Sequence, residues 1–120
     1  MTNRETIIEA VKTYCRAEIE KDRASWMGLF ADDIVHEDPA GLVTRRGLVE
    51  LGNLWEMIVK GDVELRLIED VIVCGNEAMG IMASESGPRG ARRNIQPIVD
   101  HFVFNEAGKI TRLRAFYKYA

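Results

Sequence analysis

Apolar residues fall at Ile7, Ile8, Val11, Tyr14, Cys15 and Ile19, a spacing that predicts a helix from Arg4 to about Glu20 with one buried face. Thr2 or Asn3 is placed to cap its start. A short second helix, about Arg23 to Phe30, would bury Trp26, Leu29 and Phe30. Asp32-Asp33 then leads into a strand that runs to Asp38, and Asp38-Pro39-Ala40-Gly41 reads as a turn. Asp before Pro is biased toward an extended backbone, which gives its side chain a defined direction. A third helix is predicted from about Arg46 to Lys60, burying Leu48, Leu51, Trp55 and Ile58 or Val59, with Gly61 as its stop.

From Val63 onward the period changes to two. Val63, Leu65 and Leu67 alternate with Glu64 and Arg66 in a strand read as continuing through Val71 to Val73. Gly75-Asn76 turns into a strand from Glu77 to Ser86, and Gly87-Pro88-Arg89-Gly90 turns into a long one from about Arg92 to Phe104. Asn105 to Lys109 closes a hairpin onto a last strand, Ile110 to Tyr119. The order helix, helix, strand, helix, then four strands joined by short turns implies an α+β domain over residues 1–120. Its helices would cover one face of a strongly curved antiparallel or mixed sheet.

The chain's 120 residues suit one domain with a single core. A net charge of −3 gives no general attraction for nucleic acid, and Arg89, Arg92 and Arg93 read as a solvated hairpin tip beside Gly87-Pro88. No apolar run approaches the roughly 20 residues that span a bilayer. Asn3, Arg4 and Glu5 lead straight into an amphipathic helix, so no leader peptide is expected and the cytoplasm is the expected compartment. The two cysteines, Cys15 and Cys74, are too few for a disulfide framework and read as small buried side chains.

The chemistry is carried by Tyr14, Asp38 and Asp100. On the long strand Asp100 shares a face with Phe102 and Phe104. On the last strand Leu113, Ala115 and Tyr117 form the apolar face, and Arg112 and Arg114 alternate away from it. If both apolar faces line a cavity under the helices, desolvation raises the pKa of Asp100 and favours a neutral acid that donates a hydrogen bond. Each residue also has a plainer reading: Tyr14 as a core tyrosine, Asp38 as the opening of an Asp-Pro turn, Asp100 as a salt-bridged aspartate. Taken together, a phenol and two carboxyls aimed at one apolar pocket suggest acid/base chemistry on an uncharged substrate. Alternation chooses Phe30, Trp55, Met82, Phe102, Leu113 and Tyr117 as pocket lining. His36 and His101 form no recognisable ligand spacing with Glu37 and Asp38, so no metal is expected. Nucleophile elbows, phosphate loops and nicotinamide fingerprints are lacking.

Phe30-Ala31-Asp32-Asp33, then Glu37-Asp38-Pro39 with Gly41 after it, resembles the bacterial ketosteroid isomerases. So does the block from Pro97 through Asp100-His101-Phe102 to Gly108-Lys109, and Tyr14 stands at the matching distance from Asp38. The resemblance implies the cone-shaped nuclear-transport-factor-2-like fold and a steroid Δ5–Δ4 isomerase working without cofactor or metal. It implies Asp38 as the general base, and Tyr14 with a protonated Asp100 as donors to the dienolate oxygen. It also implies a homodimer formed through the outer face of the sheet and an apolar small-molecule partner. Phe30 and Trp55 stand where the family often places further tyrosines, so Tyr14 would act without tyrosine support. The Pro97-to-Asp100 spacing is one residue longer than the family form, which a bulge or a shift in the preceding hairpin would absorb. The alternatives are another enzyme on this fold, such as an epoxide hydrolase or polyketide cyclase, and a non-catalytic module that binds an apolar molecule. An epoxide hydrolase of this type would want an Asp-Arg-Asp relay in the pocket.

Overall fold

The computed structural model describes residues 2–119. Its elements are α1 (Arg4–Glu20), α2 (Arg23–Met27), β1 (Phe30–Glu37), β2 (Thr44–Arg46), α3 (Gly47–Lys60), β3 (Glu64–Leu67), β4 (Ile72–Cys74), β5 (Glu77–Ser86), β6 (Arg93–Phe104) and β7 (Ile110–Tyr117). The sheet order is β2-β1-β7-β6-β5-β3, with β4 paired to β5 beside β3. The β1–β7 pair is parallel and the others are antiparallel, so the sheet is mixed.

Asn3 caps α1 by accepting from the Thr6 amide at 2.8 Å, which settles the choice between Thr2 and Asn3. Asp22 does the same for α2 through the Ser25 amide at 3.1 Å. The second helix is shorter than its apolar content suggests. It stops at Met27, and Phe30 opens β1 opposite Ile110 of β7. The run from Val63 to Val73 is two strands rather than one, because 68–71 leave the ladder before β4 rejoins β5. The last strand ends at Tyr117, short of Tyr119. The three-residue β2 has no sequence signal of its own; it forms by pairing Thr44–Arg46 with Val35–Glu37. Cys15 is buried as expected, but Cys74 is exposed at the end of β4. Arg89 and Arg92 of the hairpin tip are engaged by Asp62 and Glu64.

α1 lies along β5 in step with it. Val11 meets Gly80, where a Cβ would fall 3.3 Å from Val11 Cγ1 and 2.6 Å from Met82 Cε, so glycine permits the close approach. One turn on, Cys15 Sγ lies 3.8 Å from Met82 Sδ. Between helices and sheet sits an aromatic cluster: Trp26 packs on Phe30 (ring centroids 4.8 Å apart), Trp55 (5.1 Å) and Tyr14 (5.9 Å), and Tyr14 packs edge-on against Phe102 at 5.5 Å. Burying large aromatics contributes a few kcal/mol each, and this cluster fixes the ring of Tyr14.

β6 carries a bulge before Asp100. Met82 pairs with Ile98 and Ser84 with Ile95, so two steps along β5 face three along β6. Pro97, which has no amide to donate, lies within this bulge. Beyond it, Asp100 pairs with Gly80 on one side and Ala115 on the other and faces the helices.

Candidate functional site

A cavity of about 240 Å³ opens between the helices and the concave side of the sheet. Its polar wall consists of Tyr14, Glu18, Asp38, Ser84, Asp100 and Tyr117; the rest is apolar, including Leu54 and Ile58 of α3, Leu65 of β3 and Ile98 of β6. Tyr14, Asp38 and Asp100, distant in sequence, therefore meet on one cavity. Phe30, Trp55, Met82, Phe102 and Leu113, expected on its wall, lie in the core instead, and Tyr117 alone of the six apolar choices reaches it. The reason is phase and depth. On α3 the cavity stripe is Leu54 and Ile58, and Trp55, 100° further round, turns to Trp26. Phe102 and Leu113 pair with each other beyond Asp100, at the end closed by Tyr14, and Met82 is covered by α1.

Asp100 is 2% exposed, and its Oδ1 has no hydrogen-bond partner. Burial pushes its pKa well above the usual carboxylate range, and the negative fields of Asp38 and Glu18 push it further. A neutral carboxyl results, with a proton to donate into the cavity. Asp38 differs. Burial raises its pKa too, but the Tyr117 hydroxyl donates to its Oδ1 at 2.7 Å and Arg45 adds a favourable field. Its backbone is held at the strand end: Asp38 N–H donates to Val43 O at 2.9 Å, and Ala40 N–H donates to Ala115 O at 2.8 Å. Of the two aspartates, Asp38 is the one the site equips to carry charge. Replacing Tyr117 with Phe removes the donor that favours the carboxylate. The acid limb of any Asp38-dependent activity is then expected to move to higher pH, measured as the pH profile of kcat/KM. An unmoved limb would show that Tyr117 does not tune Asp38.

Burial dominates the behaviour of Tyr14, whose pKa is raised by desolvation, then by Glu18, Asp100 and Asp38. It stays a neutral donor. Arg112 and Arg114 lie outside the cavity, with Arg112 Nη2 and Arg114 Nε both on Glu37 Oε2 at 3.2 and 3.1 Å. Among the described residues no arginine lines the cavity. His101 bonds Glu77 at 2.6 Å on the sheet's other face, and His36 is fully buried with neither ring nitrogen partnered. Its pKa is pushed down to about 4 by burial, so it is neutral. No group of His, Cys, Asp and Glu suited to hold a metal ion is present among the described residues, nor is any helix there long and apolar enough to cross a membrane.

The apolar pattern of α1 points to Ile19 and passes over Glu18. The assignment is reversed: Glu18 is 3% exposed and Ile19 44%. The signal was present, since Glu18 stands four residues after Tyr14 and seven after Val11 on the buried stripe. Trp26 Nε1 donates to its Oε2 at 3.1 Å. Burial raises its pKa to about 8, outweighing the Trp26 bond. An acid whose folded pKa is raised stabilises the fold fully below its unfolded pKa of 4.5, and that contribution is gone once pH passes about 8. Thermal stability of the wild type is therefore expected to fall between these values more steeply than that of Glu18→Gln, by calorimetry at a series of pH values. Parallel curves would mean that Glu18 ionises alike in both states.

The chain is similar to several solved structures. The Δ5-3-ketosteroid isomerase from Mycobacterium sp. shares 26% identity at a TM-score of 0.83, with 94% of this chain and 93% of that one covered. SalBIII, an epoxide hydrolase/cyclase-like enzyme with a role in pyran ring formation in the polyether salinomycin, shares 24% identity at a TM-score of 0.88, over 98% of this chain and 95% of that one. RV0760c from Mycobacterium tuberculosis, in complex with estradiol-17beta-hemisuccinate, shares 23% identity at a TM-score of 0.85, with 94% of each chain covered. At such identities the last two likenesses are likenesses of fold, and this fold hosts isomerases, cyclases and binding proteins alike. Residues 11–113 match the SnoaL-like domain model, and the chain belongs to that family.

Proposed function

We propose that this protein is a steroid Δ-isomerase, converting a Δ5-3-ketosteroid to its Δ4 isomer by moving one proton through a dienolate. The observation that carries the reading is the meeting of Tyr14, Asp38 and Asp100 on one buried, mostly apolar cavity. Asp38, the aspartate supplied with a hydrogen-bond donor, takes the proton from the carbon between ketone and double bond. Charge moves to the ketone oxygen, where Tyr14 and neutral Asp100 donate to it. Asp38 then returns the proton two carbons along, and the double bond comes into conjugation. A neutral carboxylic acid as oxyanion donor is an established feature of the ketosteroid isomerases, not one first deduced from this chain. Preorganised donors in a site shielded from water stabilise developing charge better than water does.

The cavity, at about 240 Å³, is smaller than the roughly 300–1,000 Å³ of pockets that enclose drug-sized ligands. In this reading it holds the ketone-bearing rings, and the rest of the steroid emerges at its mouth. An Asp-Arg-Asp relay of the epoxide hydrolase kind finds no support, because Arg112 and Arg114 are engaged by Glu37. The test is ultraviolet absorbance with 5-androstene-3,17-dione: growth of the conjugated enone signal with enzyme supports the reading, and a rate equal to buffer alone sinks it.

A further inference from the structure

The isomerisation leaves one buried group of the cavity without a task. We propose that Glu18 is a specificity-determining residue, whose carboxyl hydrogen-bonds a second oxygen on the ligand about one helical turn from the oxygen held by Tyr14. This rests on the reading above only for the position of the first oxygen.

Glu18 and Tyr14 are four residues apart on α1, hence neighbours on one face roughly 5–6 Å apart, and both line the cavity. The in-step packing of α1 on β5 carries the wall in the same direction. Val11 sits at Gly80 and Cys15 at Met82, so the next turn brings Glu18 toward the level of Ser84, which also lines the cavity. Within the protein the carboxyl is engaged by the Trp26 indole and, as the weaker influence, by the Tyr14 hydroxyl. Trp26 supplies one donor to Oε2, and an indole has no acceptor for a carboxyl proton. Lys21, the nearby cation, does not pair with the carboxylate. Its Nζ donates to the backbone carbonyls of Glu18 (2.6 Å) and Val63 (2.8 Å) and faces Asp62 at 3.4 Å. A carboxyl in an apolar wall is costly unless its polar atoms are partnered, and a ligand oxygen is the partner the cavity can supply.

The groups that bear on Glu18 are Tyr14 and Cys15 on its own helix, Trp26 from α2, Asp38, Asp100 and Lys21. With two further carboxyls on the same cavity and no guanidinium or ammonium on its side chain, Glu18 keeps its proton at neutral pH. It then offers a donor, which suits a ketone, ether or hydroxyl oxygen and repels a carboxylate. The chemical class is a compact ketone with a further neutral oxygen on the adjoining ring, of a size that a cavity of about 240 Å³ encloses.

The test is equilibrium binding, read by quenching of tryptophan fluorescence, since Trp26 touches Glu18 directly. The probes are a bicyclic enone (a methyl-octalone) and the diketone that differs by one carbonyl on the second ring. Wild type is expected to bind the diketone about tenfold more tightly, the worth of one buried hydrogen bond. Glu18→Leu is expected to bring that ratio near one while keeping its affinity for the mono-ketone. Glu18→Gln, which preserves shape and an N–H donor, is expected to keep most of the preference and guards against a folding defect in the leucine variant. An equal ratio in wild type and Glu18→Leu, no preference in wild type, or failure of both probes to bind would each overturn the proposal. Because no turnover is involved, the readings separate: loss of the ratio in Glu18→Leu without steroid turnover in wild type defeats the isomerase alone. Turnover with an unchanged ratio defeats the Glu18 proposal alone.

Discussion

Asp38→Asn is expected to lower isomerase kcat by about 10²–10⁴-fold, the range that general-base catalysis supplies. The substitution is chosen for what it keeps. Asparagine matches aspartate in volume, and its carbonyl oxygen accepts from the Tyr117 hydroxyl as Asp38 Oδ1 does at 2.7 Å. The backbone anchors of the turn, Asp38 N–H on Val43 O and Ala40 N–H on Ala115 O, involve no side chain and survive. Only the basic lone pair goes. The loss should fall on kcat and leave binding of the Δ4 product close to wild type, because the base acts on the reacting proton and not on the bound ketone. Removing a carboxylate near Asp100 also removes a field that raises the Asp100 pKa, so product binding that is unchanged or slightly altered is consistent. Turnover within a few-fold of wild type would show that another group is the base.

The second large effect concerns the donors. Tyr14→Phe and Asp100→Leu are each expected to cost about 10²–10³ in kcat/KM, the usual worth of one oxyanion donor. Phenylalanine keeps the packing that orients residue 14, 5.9 Å from Trp26 and 5.5 Å from Phe102 between ring centroids. Asp100→Leu removes a buried carboxyl whose Oδ1 has no partner, so the fold should tolerate it or gain stability. Asp100→Asn still offers an N–H donor and should lose less than Asp100→Leu. The double variant should fall short of the product of the singles, since both donors serve one oxygen. If Asp100→Leu retains wild-type kcat/KM, Asp100 belongs to the architecture and not to the oxyanion site.

Much of this arrangement is legible in the chain, for reasons that differ from element to element. The long amphipathic helix α1 and the strands from Glu77 to Ser86 and Arg93 to Phe104 announce themselves through sustained periodicity. Tyr14 and Asp100 are legible because each is a polar group on an otherwise apolar face, and Asp38 because it opens an Asp-Pro turn within the Glu37-Asp38-Pro39 block. The short pieces are not. β2 exists only through its pairing with β1, and 68–71 leave the ladder for reasons of sheet geometry that alternation does not carry. Phe30 fits a helical or an extended reading equally by its apolar character, and tertiary pairing with Ile110 decides it.

Cavity lining is harder still. A large apolar residue at an inward phase can either fill the core or bound a void, and Trp55, Phe102 and Leu113 fill it. Leu54 lines the cavity beside Trp55 because of one helical step of rotation, which a pattern of apolar residues does not resolve. Glu18 shows the opposite failure. Apolar character alone runs the buried stripe of α1 through Ile19, whereas the helix geometry runs it through the charged residue beside it. Its place in register with Tyr14 and Val11 is the better guide.

The central claim is that one carboxylate moves one proton between two carbons within a shielded cavity. Its most direct test is proton NMR of the Δ4 product formed in heavy water from protonated 5-androstene-3,17-dione. In the proposed mechanism Asp38 carries the proton between carbons without release, so a substantial share of product formed by wild type should hold the substrate's own hydrogen at the receiving carbon. Product carrying only solvent deuterium there, or no enzyme-dependent product, would contradict the account.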